Sequence, residues 1–145
     1  MRTERVSGNG QDRREPRVVV GAAIIADGRV LACARSAPPE VAGRWEFPGG
    51  KVEPGETETE ALARECAEEL GVRVEIGARV GRDVRMAHGR SVLRVYVARL
   101  LHDDQPKALE HLELRWLAAG ELDTVPWLPA DVPIVAALPP LLADS

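Results

Sequence analysis

The chain has 145 residues, 45% of them hydrophobic and 29% charged, with a net charge of −4; these are the proportions of one globular domain. The negative balance lacks the basic footprint needed to track a nucleic-acid backbone, so any nucleotide handled here is a small ligand rather than a polymer. The two cysteines, Cys33 and Cys66, have no metal-type spacing and read as buried thiols of a reducing cytosol, and the charged start of the chain has no apolar run suited to a signal peptide or membrane span.

Residues 1 to 16 mix charges with Gly, Gln and Asn and end at Pro16, which predicts a mobile tail ahead of a domain over 17–145. Val18 to Ala26 and Arg29 to Ala34 flank Asp27-Gly28, a hairpin signature. The Pro- and Gly-rich stretch 36–56 forbids a long helix and predicts a shaped loop. A helix follows. Thr57 and Glu60 form a capping box, good helix formers run to Leu70, and Gly71 supplies the stop.

Val72 to Val80, Arg82 to Ala87 and Ser91 to Leu101 read as strands, with His88-Gly89 as the turn between the last two, and Leu112 to Leu117 as one more. Ala118 to Leu122 predicts a short helical turn. Asp131 to Leu142 predicts a closing helix that Pro139-Pro140 should truncate. His88, His102 and His111 have neither nucleophile nor zinc spacing and are expected at the surface.

On the predicted helix, Glu65, Glu68 and Glu69 stand at i, i+3 and i+4 and project from one face, while Leu62, Cys66 and Leu70 form the neighbouring apolar stripe. Three carboxylates so placed repel one another unless a cation offsets them. A solvated acidic face is the plain alternative. The preceding loop favours a cation: Gly49 and Gly50 permit a close backbone approach that can free a carbonyl, and such oxygen donors suit Mg²⁺ or Mn²⁺ and not zinc.

Gly50, Glu56 and the run Arg64-Glu65-Cys66-Ala67-Glu68-Glu69-Leu70-Gly71-Val72 resemble the Nudix box, Gly-x5-Glu-x7-Arg-Glu-U-x-Glu-Glu-x-Gly-U. Every fixed position is filled. Cys66 stands where a larger aliphatic residue is usual, which bears on packing and not on metal binding. The resemblance implies an α/β/α sandwich around a mixed β-sheet and Mg²⁺-dependent hydrolysis of a phosphoric anhydride, with Mn²⁺ as a substitute. It implies that Glu65, Glu68 and Glu69 hold the metal with the Gly49 carbonyl, that Glu65 is the first choice of base, and that Gly50, Glu56 and Arg64 shape the loop.

Outside the box, residues 17–138 resemble the MutT-type nucleotide pyrophosphohydrolases. Trp45 to Lys51 is similar to the strand entering their box, Arg35 falls at a phosphate-contacting position, and Glu110 at that of a loop carboxylate serving metal or proton transfer. Trp127 to Asp131 resembles their base-recognition corner. An ionised Asp131 only accepts hydrogen bonds, so it should favour the amine of cytosine or the N1 and N2 hydrogens of an oxidised guanine; as an N-cap it would have a purely structural role. Trp127 reads equally as core or as base stacker, and Trp116 as core. The resemblance points to nucleotide-pool sanitation on CTP-type or 8-oxo-dGTP substrates, by a monomer or homodimer. Two alternatives stay open: another nucleoside diphosphate derivative, such as a dinucleotide polyphosphate or nucleotide sugar, and a silent Nudix binding module.

Overall fold

The computed structural model describes residues 17–143; the expected tail over 1–16 lies outside them. Strand β1 (Arg17–Ala26) turns through Asp27 and Gly28, both at positive φ, into β2 (Arg29–Ala34). Those two left-handed residues make the mirror-image turn whose twist suits a two-residue hairpin. Two short strands, β3 (Trp45–Glu46) and β4 (Gly49–Lys51), lie inside the predicted loop. Helix α1 (Glu58–Leu70) follows, then β5 (Val74–Arg85), β6 (Ser91–Leu100) and β7 (Glu113–Ala118).

The sheet is mixed. β1 runs parallel to β6 over Arg17 to Ile24 and antiparallel to β4, while β2 pairs antiparallel with both β3 and β7. Side chains alternate across it with the strand period of two. Val20, Ala22, Ile24, Leu31 and Cys33 face α1 and pack on Ala61, Leu62, Cys66 and Leu70. Ala23, Ile25, Val30 and Ala32 face the other way, onto Leu122, Trp127, Ile134 and Leu138. Both faces are covered, which is the α/β/α sandwich that the resemblance implied. Leu62 and Leu70 are fully buried, and each contributes about 2 kcal/mol by removal from water. Cys66 is equally buried, and burial pushes its thiol up to about 12.

The capping box at Thr57 and the left-handed Gly71 bound α1 as expected. Three expectations need correction. The strands predicted over 72–80 and 82–87 are one strand: β5 carries bulges between Ile76 and Arg79 and between Val80 and Val84, and Gly81 at φ 64 bends the backbone without ending the ladder. The closing helix over 131–142 is three pieces, a 3₁₀ turn at Pro129–Asp131, α2 (Val132–Val135) and α3 (Pro139–Ala143). The two prolines open α3, where a missing N–H costs nothing, instead of truncating a longer helix. His111 is not a surface residue, as described below. Among the described residues no helix is long and apolar enough to cross a membrane.

Candidate active site

The box residues meet where α1 packs against β4. β4 pairs with β1 so that the Ala22 N–H donates to the Pro48 carbonyl at 2.8 Å. Antiparallel alternation then turns the Gly49 amide and carbonyl away from β1, toward α1. The Gly49 N–H accordingly donates to Glu69 Oε1 at 3.4 Å. A Cβ on Gly50 would stand 2.2 Å from Glu65 Oε2, so the bare Cα is what lets that carboxylate lie against the loop.

Arg64 organises the other side. Its guanidinium grips Glu56 with two hydrogen bonds, at 2.7 and 3.0 Å, and donates to the Lys51 carbonyl at 3.2 Å. The Glu56 carboxylate also accepts from the Glu53 N–H, and the Arg64 guanidinium beside it holds its carboxyl below the usual carboxylate range. Arg64 further reaches Glu65 at 3.3 Å and Glu68 at 3.4 Å. Glu56 and Arg64 thus link α1 to the backbone of the preceding loop at Lys51 and Glu53.

Glu69 is buried against Glu65, in hydrogen-bond contact with it, and burial followed by that neighbour pushes its carboxyl up to about 9. A buried acid held this far above its ordinary range is the electrostatic condition a divalent cation relieves. The donors at hand are hard oxygens, as Mg²⁺ or Mn²⁺ requires. Glu68 is 52% exposed and turned to Arg64, and among the described residues no three ligating side chains converge on one point. Glu65 and Glu69 are thus brought together beside Gly49, while Glu68 is held toward Arg64.

Two cavities adjoin this cluster. One, of about 480 Å³, is lined by apolar groups such as Phe47, Met86, Leu93 and Leu128, with Arg35, Glu46 and Asp131 among its polar walls. The other, of about 310 Å³, is lined by Arg35, Ser36, Glu46, Glu69, Glu110 and His111 among others. Arg35 pairs with Glu46 at 3.0 Å and donates to the Ala37 carbonyl, which holds its guanidinium at the edge of both cavities. The Glu110 carbonyl accepts from Ser36 Oγ at 3.0 Å, which places the residue at the rim of the smaller cavity.

Trp127 does not line the larger cavity. Its indole N–H donates to the Leu122 carbonyl at 2.6 Å and its ring backs Phe47 at 5.1 Å between centroids, so Phe47 forms the wall and Trp127 supports it. Trp116 is partly buried against the α1-side core, as expected. Asp131 is buried and makes no side-chain cap for α2, because its carboxyl is turned inward to the Phe47 N–H. Burial, then the charge of Glu46, pushes it up to about 8. A carboxyl so raised holds its proton longer than the ionised acceptor expected, and in that acid form Asp131 donates as well as accepts.

A carboxyl raised on folding binds its proton more tightly in the native than in the unfolded chain, so stability declines as pH rises from about 4 to about 8. Asp131→Asn removes that slope. Its melting temperature should match the parent's at pH 4 and exceed it by several degrees at pH 8, measured by thermal melts; parallel curves would place Asp131 in a solvated setting.

Glu46 and His111 were not singled out from sequence. The His111 side chain is only 5% exposed, with Nε2 at 3.1 Å from Glu46 Oε2 and 3.8 Å from Glu69 Oε1. The signal for Glu46 was strand alternation, since Trp45 turns inward and its neighbour must turn to the cavities. No local pattern marks a loop histidine as buried.

The NUDIX domain family matches residues 15–138. The chain belongs to this family. It is 48% identical over 131 residues to a Mycobacterium tuberculosis protein provisionally named 8-oxo-dGTP diphosphatase 2, spanning 88% of this chain and 92% of that one. It is 40% identical over 126 residues to the CTP pyrophosphohydrolase of Escherichia coli K12, spanning 86% and 93%. The fold matches the solution structure of the E. coli ORF135 protein with a TM-score of 0.75, at 36% identity over 90% of this chain and 93% of that one. The protein is a Nudix hydrolase of the MutT type, a family that acts on small nucleotide substrates and uses divalent metal ions.

Proposed function

We propose that this Nudix hydrolase converts a cytosine or oxidised-guanine nucleoside triphosphate to the monophosphate and pyrophosphate, using Mg²⁺. The observation that carries this is the continuity of the 480 Å³ apolar cavity with the acid cluster: Glu46, Gly49 and Gly50 line that cavity, and Glu69 adjoins Gly49. A ligand with a flat, weakly polar end and a polyanionic end fits such a pair. The names of the M. tuberculosis and E. coli relatives support the same two bases.

In this reading the base lies against Phe47, and the Asp131 carboxyl pairs with its edge. A protonated carboxyl offers one donor beside one acceptor, which matches N3 and the N4 amine of cytosine, or O6 and N1–H of a guanine. Arg35 meets the phosphates. Glu65, Glu68, Glu69 and the Gly49 carbonyl would hold Mg²⁺, which when bound would withdraw charge from the phosphate chain and make water a stronger acid. Glu65 takes the proton of the attacking water, and Glu110 at the rim is the second candidate.

The test is pyrophosphate release with Mg²⁺ on CTP, dCTP, 8-oxo-dGTP, dGTP, ADP-ribose and a diadenosine polyphosphate. Turnover of CTP, dCTP or 8-oxo-dGTP at least about tenfold above ADP-ribose and the diadenosine compound is expected, the scale of one well-made polar base contact, with dGTP near 8-oxo-dGTP because both offer O6 and N1–H to Asp131. Activity confined to ADP-ribose or the diadenosine compound would overturn the substrate class, and silence throughout would favour a binding module.

A further inference from the structure

We propose that His111 is a positioning residue that holds Glu46 through its Nε2–H and so ties the wall between the two cavities to the acid cluster. The ring lies between carboxylate oxygens, Glu46 Oε2 at 3.1 Å and Glu69 Oε1 at 3.8 Å. Its other nitrogen, Nδ1, is buried with no hydrogen-bond partner. Those two facts choose the tautomer. A proton on Nδ1 would orphan a buried donor and set the Nε2 lone pair against a carboxylate, whereas a proton on Nε2 satisfies Glu46 and leaves on Nδ1 only an acceptor without a partner.

The loop that carries His111 is fastened on both sides. The Lys107 and Leu109 N–H groups donate to the Leu70 and Glu69 carbonyls at the end of α1, and the Leu112 N–H donates to the Ala34 carbonyl of β2. Ser36 Oγ adds its bond to the Glu110 carbonyl. The imidazole is therefore presented from a backbone anchored to the helix that bears the acids and to the strand that leads to Arg35. Arg35, Glu46 and His111 form a continuous chain, with Arg35 3.0 Å from the other Glu46 oxygen. Glu46 is gripped from both ends, and it lines both cavities. A carboxylate left free there would swing toward the base cavity or repel the acids that face the phosphates.

The kinetic arm rests on the triphosphate reading; the magnetic-resonance arm does not. Gln at 111 sets its amide nitrogen about where Nε2 lies, while Asn reaches only the Nδ1 position, so the two separate the donor from the ring. His111→Asn and His111→Phe should lower kcat/KM on the favoured triphosphate at least tenfold with melting temperature within about 3 °C of the parent, roughly 1 kcal/mol for this length. His111→Gln should recover to within threefold. In a Glu46→Gln background, His111→Asn should cost less than twofold, since residues acting through one another are not additive. Equal losses for Gln and Asn, additivity in that background, or activity losses that merely follow melting temperature would each overturn the proposal. Long-range ¹⁵N–¹H spectra of the parent, which need no turnover, should show a proton on His111 Nε2. A ring bare at Nε2 overturns it even in an active enzyme, and a protonated Nε2 in a protein silent on every triphosphate would leave the hydrogen bond standing and sink only the substrate reading.

Discussion

Glu69→Gln is expected to lower turnover by about 10³-fold or more, some 4 kcal/mol of transition-state stabilisation, and at the same time to make the metal-free protein more resistant to alkali. The two effects share a cause. Glu69 is buried beside Glu65, and its carboxyl is pushed up to about 9 from an ordinary 4.5. In the native chain it therefore keeps a proton that the unfolded chain has lost, and stability without metal falls as pH climbs between those values. The amide has no proton to lose, so the melting-temperature difference between variant and parent in EDTA should grow with pH across that window. With Mg²⁺ the order should reverse, because the parent gains stability by binding and the variant gains little. Pyrophosphate release and paired melts with Mg²⁺ or EDTA check both halves. Near-parent turnover with parent-like Mg²⁺ affinity would take Glu69 out of the metal site.

Alanine at Gly49 and at Gly50 should produce opposite kinds of damage, although the residues are neighbours. At Gly49 the added Cβ would lie 1.9 Å from the Val20 carbonyl oxygen and 2.9 Å from the Gly21 Cα. Both are backbone atoms of a central strand and cannot move aside alone, so Gly49→Ala should lose about 3 kcal/mol, or about 10 °C in melting temperature. At Gly50 the obstruction is the Glu65 carboxylate, at 2.2 Å, the far end of a side chain that can rotate away. Gly50→Ala should keep its melting temperature within about 3 °C and lose about 10²-fold in turnover, since the displaced carboxylate is part of the acid cluster. A Gly50→Ala protein that unfolds easily, or a Gly49→Ala protein that is stable but inactive, would show that the loop is not packed as described.

Much of this protein was legible in the order of its residues because the deciding interactions are local. The capping box at Thr57, the left-handed stop at Gly71 and the Asp27-Gly28 turn each depend on a few neighbouring residues, and all three formed where the pattern placed them. The acidic face of α1 follows from helical spacing alone, and the Arg64 grip on Glu56 matches the box that the residues spell. The alternation of β1 and β2 between two cores is likewise a period-two pattern visible in the chain.

What only the tertiary structure decided depends on segments far apart in sequence. β5 is one strand because β6 continues to pair across its bulges, which the residues 72–87 do not specify by themselves. Asp131 reads in sequence as an ionised base-edge acceptor or as a cap, but the pairing of Trp45 with Trp127 brings the Phe47 N–H to it, and burial then raises its carboxyl. His111 reads as a loop histidine, yet the fastening of its loop to β2 and α1 presses the ring between Glu46 and Glu69. Local pattern determined the helix, its stops and the spacing of its acids, because backbone geometry converts spacing into direction. Burial and protonation state were decided by the fold, because they depend on which distant groups displace water around a side chain.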